Sequence, residues 1–356
     1  MNQSKNNAIQ GLRFLAITLI IASHCGLLMQ GGLGNTIFFA MSGFFVCRPY
    51  SASDYEYRFF NIKSFLNYYK KRIVRIIPVC WVCMLFASFG LRFFDFRDFS
   101  TEHSLLLNMF FIKSKNHLWF LQQEIVFYII APFLILALGL IKKLIAHFTK
   151  KPLFINLILF VLINVLVYVT YKYSIYTSIR LYGNGGPQLF RIWFFLIGMS
   201  FAYLLKALKE ICIKKDSTKR ILASLGSVFV FVCFAFSILS SEQYLSMIDD
   251  KYSGLYVGWT YAIPITYIAS AVLVVLSLLP DTSLCSRFFG NKLFAAIGNA
   301  SFSMYLIHGC LLAYFAELSP YSAFITIYGI TLAIALLIYT YLEQPIMKKF
   351  SSKENK

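Results

Sequence analysis

The stretch 153–171 reads LFINLILFVLINVLVYVTY and contains no charged side chain. A helix rises 1.5 Å per residue, so a helix of this length would extend about 28 Å, close to the roughly 30 Å hydrocarbon core of a bilayer. Similar stretches occur at 12–29 and 76–94. Strands of a membrane barrel would be shorter and would alternate between apolar and polar residues. The pattern therefore predicts transmembrane helices.

The composition extends this prediction to the whole chain. Hydrophobic residues make up 59% of the 356 positions, charged residues make up 13%, and the mean hydropathy is +0.68. These values exclude an ordinary water-soluble globule of this size. We expect an all-α, polytopic transmembrane bundle of about ten spans, forming one membrane-embedded domain over residues 1–356 with no appended soluble domain. The predicted spans are 12–29, 33–47, 76–94, 117–141, 153–171, 188–205, 221–240, 255–279, 294–317 and 322–342.

The net charge of +18 indicates orientation in a membrane rather than nucleic-acid binding. With the spans above, 25 of the 33 Lys and Arg residues fall on one side of the membrane, in alternate connections. The positive-inside rule places that side in the cytoplasm, together with both termini. A nucleic-acid protein would instead gather its basic residues on one folded face. We therefore expect membrane lipid, and no nucleic acid, among the partners.

Ionisable residues inside the spans are the first candidates for function, because they are costly in a bilayer. Arg13 and His24 lie eleven residues apart in the first span, which puts them on one helix face about 16 Å apart. Arg13 alone could be an interfacial anchor whose charge reaches the lipid surface. His24, next to Ser23, could be a hydrogen-bonded structural group, but the sequence favours a functional one.

Two arginines precede the third span. Arg72 and Arg75 share a helix face at a spacing of three residues, shortly before Pro78. The forked donors of two guanidinium groups match phosphate oxygens, so the pair suggests a phosphate-binding site. Taken alone, the cluster could also be a cytoplasmic flank of the span.

The fourth span begins NHLWFLQQEIVFY, with His117 and Trp119 near the outer interface and Glu124 about two turns deeper. Helical spacing predicts His117, Glu124 and Tyr128 on one side. Glu124 could position or polarise a hydroxyl group, or it could form a structural pair with an arginine.

The ninth span contains SFSMYLIHG at 301–309, in which Ser301, Tyr305 and His308 fall on one helix face. A stripe of three polar residues suggests that they line a cavity. Glu343 ends the last span, where capping or pairing with a basic loop is its expected role.

These motifs, in this order, resemble the acyltransferase-3 family over nearly the whole chain. The motifs are Arg13-x10-His24, FFAMSGFF at 38–45, Arg72-x-x-Arg75-x-x-Pro78, Trp119 to Glu124, SFSMYLIHG, and Glu343-x-Pro345. One departure is FLQQE at 120–124, where the family usually has Ser-Leu-x-x-Glu.

The resemblance implies a multi-pass O-acyltransferase of the bacterial cytoplasmic (inner) membrane. It would use acetyl-CoA as a co-substrate, with no permanently bound cofactor and no metal. The acceptor would be a surface polysaccharide or a lipid-linked glycan, such as the O-antigen of lipopolysaccharide. Histidine suits the role of general base because its pKa lies near neutrality. The implied roles are catalytic for His24, Glu124 and His308, donor-binding for Arg13, Arg72 and Arg75, and supporting for Ser23, Trp119, Tyr305 and Glu343.

Two other classes of protein stay open at this point. A transporter or flippase of a lipid-linked saccharide would also place polar residues inside many spans, but it has no need of paired arginines for CoA phosphates. An unrelated His/Asn-type membrane acyltransferase is closer in chemistry, and Arg13 with His24 on the first helix argues against it. Many acyltransferase-3 relatives carry an appended extracytoplasmic domain. We expect no such domain in this chain, which would then have to complete transfer alone.

Overall fold

The computed structural model describes residues 3–28, 32–47, 55–182, 191–212, 221, 223–236 and 262–352. All regular structure in these ranges is helical, and the prediction of an all-α chain is confirmed. The α-helices are α1 Gln3–His24, α2 Gly32–Cys47, α3 Ile62–Leu91, α4 Leu105–Met109, α5 Trp119–Phe148, α6 Pro152–Tyr182, α7 Ile192–Cys212, α8 Ala223–Phe236, α9 Ala262–Leu278, α10 Leu284–Phe289, α11 Lys292–Asn299, α12 Ser301–Leu311, α13 Pro320–Ile338 and α14 Gln344–Ser352.

Several of these helices are suited to cross a membrane. By length and apolar composition, five helices in the described ranges qualify, namely α3, α5, α6, α7 and the segment from α13 into α14. The bent pair α11 and α12 raises the number to six. Helices α2, α8 and α9 are apolar but shorter. The count of ten spans and the position of the termini thus stay predictions.

Helices in the centre of the bundle pack with their backbones in close contact. A Cβ atom added to Gly43 of α2 would lie 1.9 Å from the carbonyl oxygen of Phe195 in α7, and one added to Gly198 of α7 would lie 2.2 Å from the carbonyl oxygen of Ala40. Small residues are typical of membrane helix contacts, because close packing replaces the hydrophobic driving force that lipid removes. Glycine at these two positions therefore sets the distance between α2 and α7.

The predicted ninth span, 294–317, is not one straight helix. Helices α11 and α12 meet at Ala300 with a bend of 65°. The backbone N–H of Ala300 bonds to the carbonyls of Ala296 and Gly298, which closes α11 before α12 begins. The bend aims the first turn of α12 at the interior of the bundle.

A π-helical turn, Tyr339–Glu343, links α13 to α14. Such turns carry an extra residue and are frequent at functional sites. Here the turn buries the side chain of Glu343, which is only 4% exposed.

We expect Gly43→Val to destabilise the protein more than the same change at Gly329. The added side chain at position 43 meets backbone atoms that cannot move aside, and overpacking of this kind costs about 1–3 kcal/mol or more. Gly329 lies in α13 with no atom within 4 Å of an added Cβ, so Gly329→Val is the matched control. Thermal unfolding in detergent measures both. Equal unfolding temperatures would contradict the packing described for α2 and α7.

Candidate active site

A narrow cavity lies inside the bundle between α1, α2, α3, α5 and α12. Its volume is about 50 Å³, which holds a few water molecules. Three of its lining residues are arginine or glutamate: Arg13, Arg75 and Glu124. All three were predicted as site residues from the sequence, and the structure places them around one space. The remaining lining residues are Phe38, Met41, Ser42, Ile76, Phe120, Leu121, Tyr128, Ser301, Phe302 and Tyr305.

Two hydroxyl groups fix the carboxylate of Glu124. The hydroxyl of Ser42 donates to Glu124 Oε1 at 2.6 Å, and the hydroxyl of Tyr128 donates to the same oxygen at 2.7 Å. The charges of Glu124 and Arg13 also interact. Hydrogen bonds to a carboxylate are stronger than those between neutral groups. The glutamate therefore holds side chains from α2 and α5 together and balances an arginine charge.

The arginine charges converge on Tyr128. The guanidinium carbon of Arg72 lies 4.9 Å from the centre of the Tyr128 ring and 5.3 Å from the centre of the Tyr68 ring. Arg75, one turn further along α3, lines the cavity beside Tyr128. Arg13 reaches the same cavity from α1, and its Nε is buried without a hydrogen-bond partner among the described residues. The site thus presents guanidinium donors from two helices.

Glu343 belongs to the same polar interior. The hydroxyl of Ser303 in α12 donates to Glu343 Oε2 at 3.3 Å, and the charges of Arg13 and Arg75 reach this carboxyl group. The sequence suggested capping or pairing with a basic loop. The structure instead buries Glu343 against α12, because the π-helical turn directs it inward.

Three histidines form a second group, which we call the histidine cluster: His24, His117 and His308. His24 Nδ1 lies 3.0 Å from His308 Nε2, and the two rings are nearly parallel with centres 5.1 Å apart. The ring centres of His117 and His308 are 4.8 Å apart. His308 is fully buried and His117 is 5% exposed, whereas His24 is exposed. The cluster therefore has one member that an external group can reach.

Backbone carbonyls determine which histidine nitrogens carry protons. His308 Nδ1 lies 2.8 Å from the carbonyl oxygen of Tyr305, and a carbonyl oxygen only accepts, so this nitrogen donates. In neutral His308 the Nε2 atom must then accept, and the proton in its bond with His24 belongs to His24 Nδ1. This leaves a lone pair on His24 Nε2, the arrangement that a general base requires.

Tyr305 connects the cavity to the histidine cluster. Its ring lines the cavity, and its hydroxyl group donates to the backbone carbonyl of His117. His308 lies three residues further along α12, on the adjoining turn. In the polar stripe expected from the sequence, Ser301 and Tyr305 therefore line the cavity, and His308 belongs to the histidine cluster.

One predicted grouping was wrong in part. Glu124 and Tyr128 do adjoin, but His117 does not share their helix face. It lies in a 3-10 turn, Asn116–Leu118, before α5 begins, so helical spacing from Glu124 does not apply to it. Its Nε2 atom instead lies 3.2 Å from the carbonyl oxygen of Leu306 in α12.

The two remaining predicted residues lie at the edges of these groups. Trp119 packs against Phe39, with ring centres 5.9 Å apart, and the guanidinium carbon of Arg191 lies 4.5 Å above its ring. Ser23 is partly buried in the last turn of α1, where its carbonyl accepts from the N–H of Gly26. Both therefore support neighbouring structure rather than line the cavity.

Sequence analysis missed one residue that lines the cavity and one that packs on Trp119 beside it. Ser42 lies within the FFAMSGFF motif but was not singled out, although a polar residue in an apolar helix was a usable signal. Arg191 is 4% exposed at the start of α7, and its position inside a predicted span was the corresponding signal. In the described part of the chain, no three residues among His, Cys, Asp and Glu are grouped to hold a metal ion.

A helical chain with membrane-length apolar segments and a charged interior belongs to the class of membrane-embedded enzymes or transporters. The guanidinium groups of the cavity, joined to a histidine cluster through Tyr305, favour a group-transfer enzyme. Comparison with known families decides between them. The family described as acyltransferase domain, acyltransferase-3, matches residues 6–342. The chain therefore belongs to the acyltransferase-3 family.

The chain is also similar to curated bacterial proteins. It is 24% identical to O-acetyltransferase OatA of Staphylococcus aureus strain NCTC 8325, over 96% of this chain and 57% of that protein. A second relative from strain COL, provisionally named an O-acetyltransferase, is 25% identical over the same shares. The chain thus spans a little over half the length of these relatives. No solved structure matches the chain.

We expect Gly309→Ala to reduce acyl transfer about tenfold or more in a protein that still folds. An added Cβ atom would lie 1.9 Å from His117 Nδ1 and 2.2 Å from the adjoining ring carbon, so the ring must leave its place beside His308. A displacement of about 1 Å in a residue that supports a catalytic site can cost about 100-fold in rate. Turnover per folded molecule is the measurement, with Gly329→Ala as the control. Unchanged turnover in Gly309→Ala would show that His117 has no part in the site.

Proposed function

We propose that this enzyme transfers an acetyl group from cytoplasmic acetyl-CoA to a hydroxyl group of a bacterial surface polysaccharide or lipid-linked glycan. The supporting observation is that the cavity containing Arg13 and Arg75 meets the histidine cluster through Tyr305. The O-acetyltransferase names of the relatives agree with the reaction class. The O-antigen of lipopolysaccharide is one acceptor of the proposed class.

The proposed topology has about ten spans in the bacterial inner membrane, with both termini in the cytoplasm. The distribution of basic residues supports it, because 25 of the 33 lie in connections assigned to one side. The arginine-rich start of α3 and the beginning of α1 then lie toward the cytoplasm, and His24 lies toward the opposite face. In this topology the proposed donor site, near the arginines, and the proposed acceptor site, near His24, would lie at different depths of the bundle.

Reporter fusions test this topology. Fusions after Lys150 and Lys215 should report the cytoplasm, and fusions near Lys115, Gly185 and Asp250 should report the other side. Lys215, Gly185 and Asp250 lie outside the described residues, so their placement rests on charge alone. A cytoplasmic signal at Gly185 would contradict the ten-span arrangement.

In the donor half, Arg72, Arg75 and Arg13 would bind the phosphates of acetyl-CoA. Guanidinium groups bind phosphate oxygens through two parallel hydrogen bonds, which gives both affinity and orientation. The cavity volume of about 50 Å³ is too small for a thioester, so binding must move side chains along the cavity wall. Glu124, fixed by two hydroxyl groups, would limit how far Arg13 moves.

In the acceptor half, His24 Nε2 would take the proton of the acceptor hydroxyl group. The hydroxyl oxygen then bonds to the acyl carbon, the bond from that carbon to its carrier breaks, and the proton passes from His24 to the departing group. This proton balance is the same whether the acetyl group comes directly from CoA or from an acyl-enzyme. His308 would position His24 by accepting from its Nδ1, and the Tyr305 carbonyl would fix the tautomer of His308.

Two variants separate donor binding from chemistry. Each charge-assisted hydrogen bond contributes about 1.5–3 kcal/mol, so Arg72→Ala with Arg75→Ala should weaken acetyl-CoA binding by about tenfold or more. His24→Ala should retain donor binding and lose about 100-fold to 10 000-fold in turnover, the usual contribution of a general base. Donor affinity and acetyl transfer would be measured in nanodiscs.

A matched control for the arginine variant is Lys63→Ala with Lys70→Ala, which removes two positive charges from exposed positions of the same helix. It should bind acetyl-CoA as the unmodified protein does. Equal loss of acetyl-CoA affinity in both double variants would show that Arg72 and Arg75 act only through the overall positive charge of this surface. Full turnover in His24→Ala would remove His24 from the general-base role.

A further inference from the structure

An open pocket of about 580 Å³ lies at the end of α3, outside the cavity described above. This volume falls in the range typical of ligand sites, about 300–1000 Å³. We call it the loop pocket, because residues of the loop between α3 and α4 form most of its wall. Its lining residues are Ser88, Phe89, Arg92, Phe93, Phe94, Asp95, Phe96, His103 and Lys115.

The loop that forms the pocket is held by its own hydrogen bonds. The backbone N–H of Asp95 donates to the carbonyl of His103 at 2.8 Å, which closes the loop at its base. The carboxylate of Asp98 accepts from the hydroxyl of Thr101 and from the backbone N–H of Ser100, and these bonds hold the pKa of Asp98 below its usual range. The wall of the pocket is therefore ordered before any ligand binds.

The pocket carries an excess of positive charge. Arg92 and Lys115 line it against one acidic residue, Asp95, whose carboxylate already accepts from the N–H of Arg97. The ammonium group of Lys115 is held in place, since it donates to the carbonyl of Phe93 and lies 4.1 Å from the centre of that ring. These cations form a local field that favours an anionic ligand.

These positive charges lie on the side of the membrane where the positive-inside rule predicts few Lys and Arg residues. On the proposed topology the end of α3 faces away from the cytoplasm, and only eight of the 33 basic residues lie on that side. Two of the eight, Arg92 and Lys115, line this pocket. Membrane insertion does not favour cations there, so their presence points to a ligand.

Aromatic rings supply the apolar part of the pocket wall. Phe89 and Phe96 lie with ring centres 4.6 Å apart, and both are exposed. The C–H face of a pyranose ring packs against such rings by dispersion, while its substituents bond to polar groups at the edge. A pocket that combines phenyl rings with cations matches a charged sugar.

The loop pocket adjoins the histidine cluster. The ring centre of Phe93, which lines the pocket, lies 6.3 Å from that of His117, and His117 packs against His308. His308 in turn holds His24. A saccharide in the pocket would therefore lie on the side of the bundle where the proposed base is exposed.

From this placement we propose that the loop pocket binds the acceptor and selects a saccharide that carries a carboxylate or phosphate group. The inference rests on the proposed function, because it assigns the acceptor side of the same reaction. Arg92 and Lys115 would bind the anionic group, and Phe89 with Phe96 would bind the sugar ring. A hydroxyl group of the same or the next sugar would then reach His24.

The test uses the protein in nanodiscs with radiolabelled acetyl-CoA and the pooled surface glycans of the host organism. The labelled glycan should be retained on an anion-exchange column. In two parallel arms, the glycan carboxylates are reduced or the phosphates are removed with hydrofluoric acid before the reaction. Labelling should be abolished in one arm, and that arm identifies the anionic group. Label distributed equally between neutral and acidic glycans would overturn the proposal.

Variants give an independent result. Arg92→Gln with Lys115→Gln should raise the KM for glycan by about tenfold or more and leave kcat and acetyl-CoA affinity within about twofold. Glutamine keeps a long polar side chain at position 92, where the backbone is left-handed with φ of 48°. Arg97→Gln with Lys113→Gln removes two nearby charges that do not line the pocket and should leave the KM unchanged.

The outcomes separate this inference from the proposed function. Transfer that proceeds with an unchanged glycan KM in the pocket variant would overturn the acceptor site and leave the acetyltransferase activity standing. Absence of transfer to any glycan by the unmodified protein, with folding confirmed, would overturn both.

Discussion

The cost of charged groups in a low-dielectric interior is the constraint on which this structure depends. Arg13 and Arg75 enter the bundle from two helices, and each would be unstable there without compensation. Glu124 and Glu343 supply the opposite charges from two further segments. The four residues therefore link α1, α3, α5 and the π-helical turn after α13. A ligand with phosphate groups would compete with these glutamates for the same arginines, so the charge balance that stabilises the bundle would also form the proposed donor site.

Helix α12 connects this charged interior to the proposed chemistry. The bend at Ala300 directs its first turn toward the cavity, and Tyr305 lines that cavity while bonding to the backbone of His117. One turn later, His308 fixes the ring of His24. Gly309 completes the arrangement, because the ring of His117 occupies the space that a larger residue would fill. A single short helix thus sets the distance between the proposed donor and acceptor sites.

Sequence reasoning succeeded where a residue's chemistry was improbable in its surroundings. Arg13, Arg75, Glu124 and Tyr305 were predicted because ionisable and polar residues are rare in apolar helices, and the structure places them around one cavity. The family prediction is confirmed by the match over residues 6–342. Helix periodicity failed where no helix exists, as for His117, which lies in a turn. It also gave no warning of the bend at Ala300, since that depends on the packing of α11 against α1. Contacts between distant segments, such as Ser42 with Glu124, have no signature in the spacing of either motif.

The central claim is that this acyltransferase places acetyl groups on a surface glycan. Mass spectrometry of surface polysaccharides from cells with the gene, without it, and with it restored tests the claim directly. The account predicts a mass difference of one acetyl group per modified residue, removable by mild alkali because the bond is an ester, and absent when the restored gene encodes His24→Ala. Identical glycans in all of these cells, with the protein present in the membrane, would contradict it.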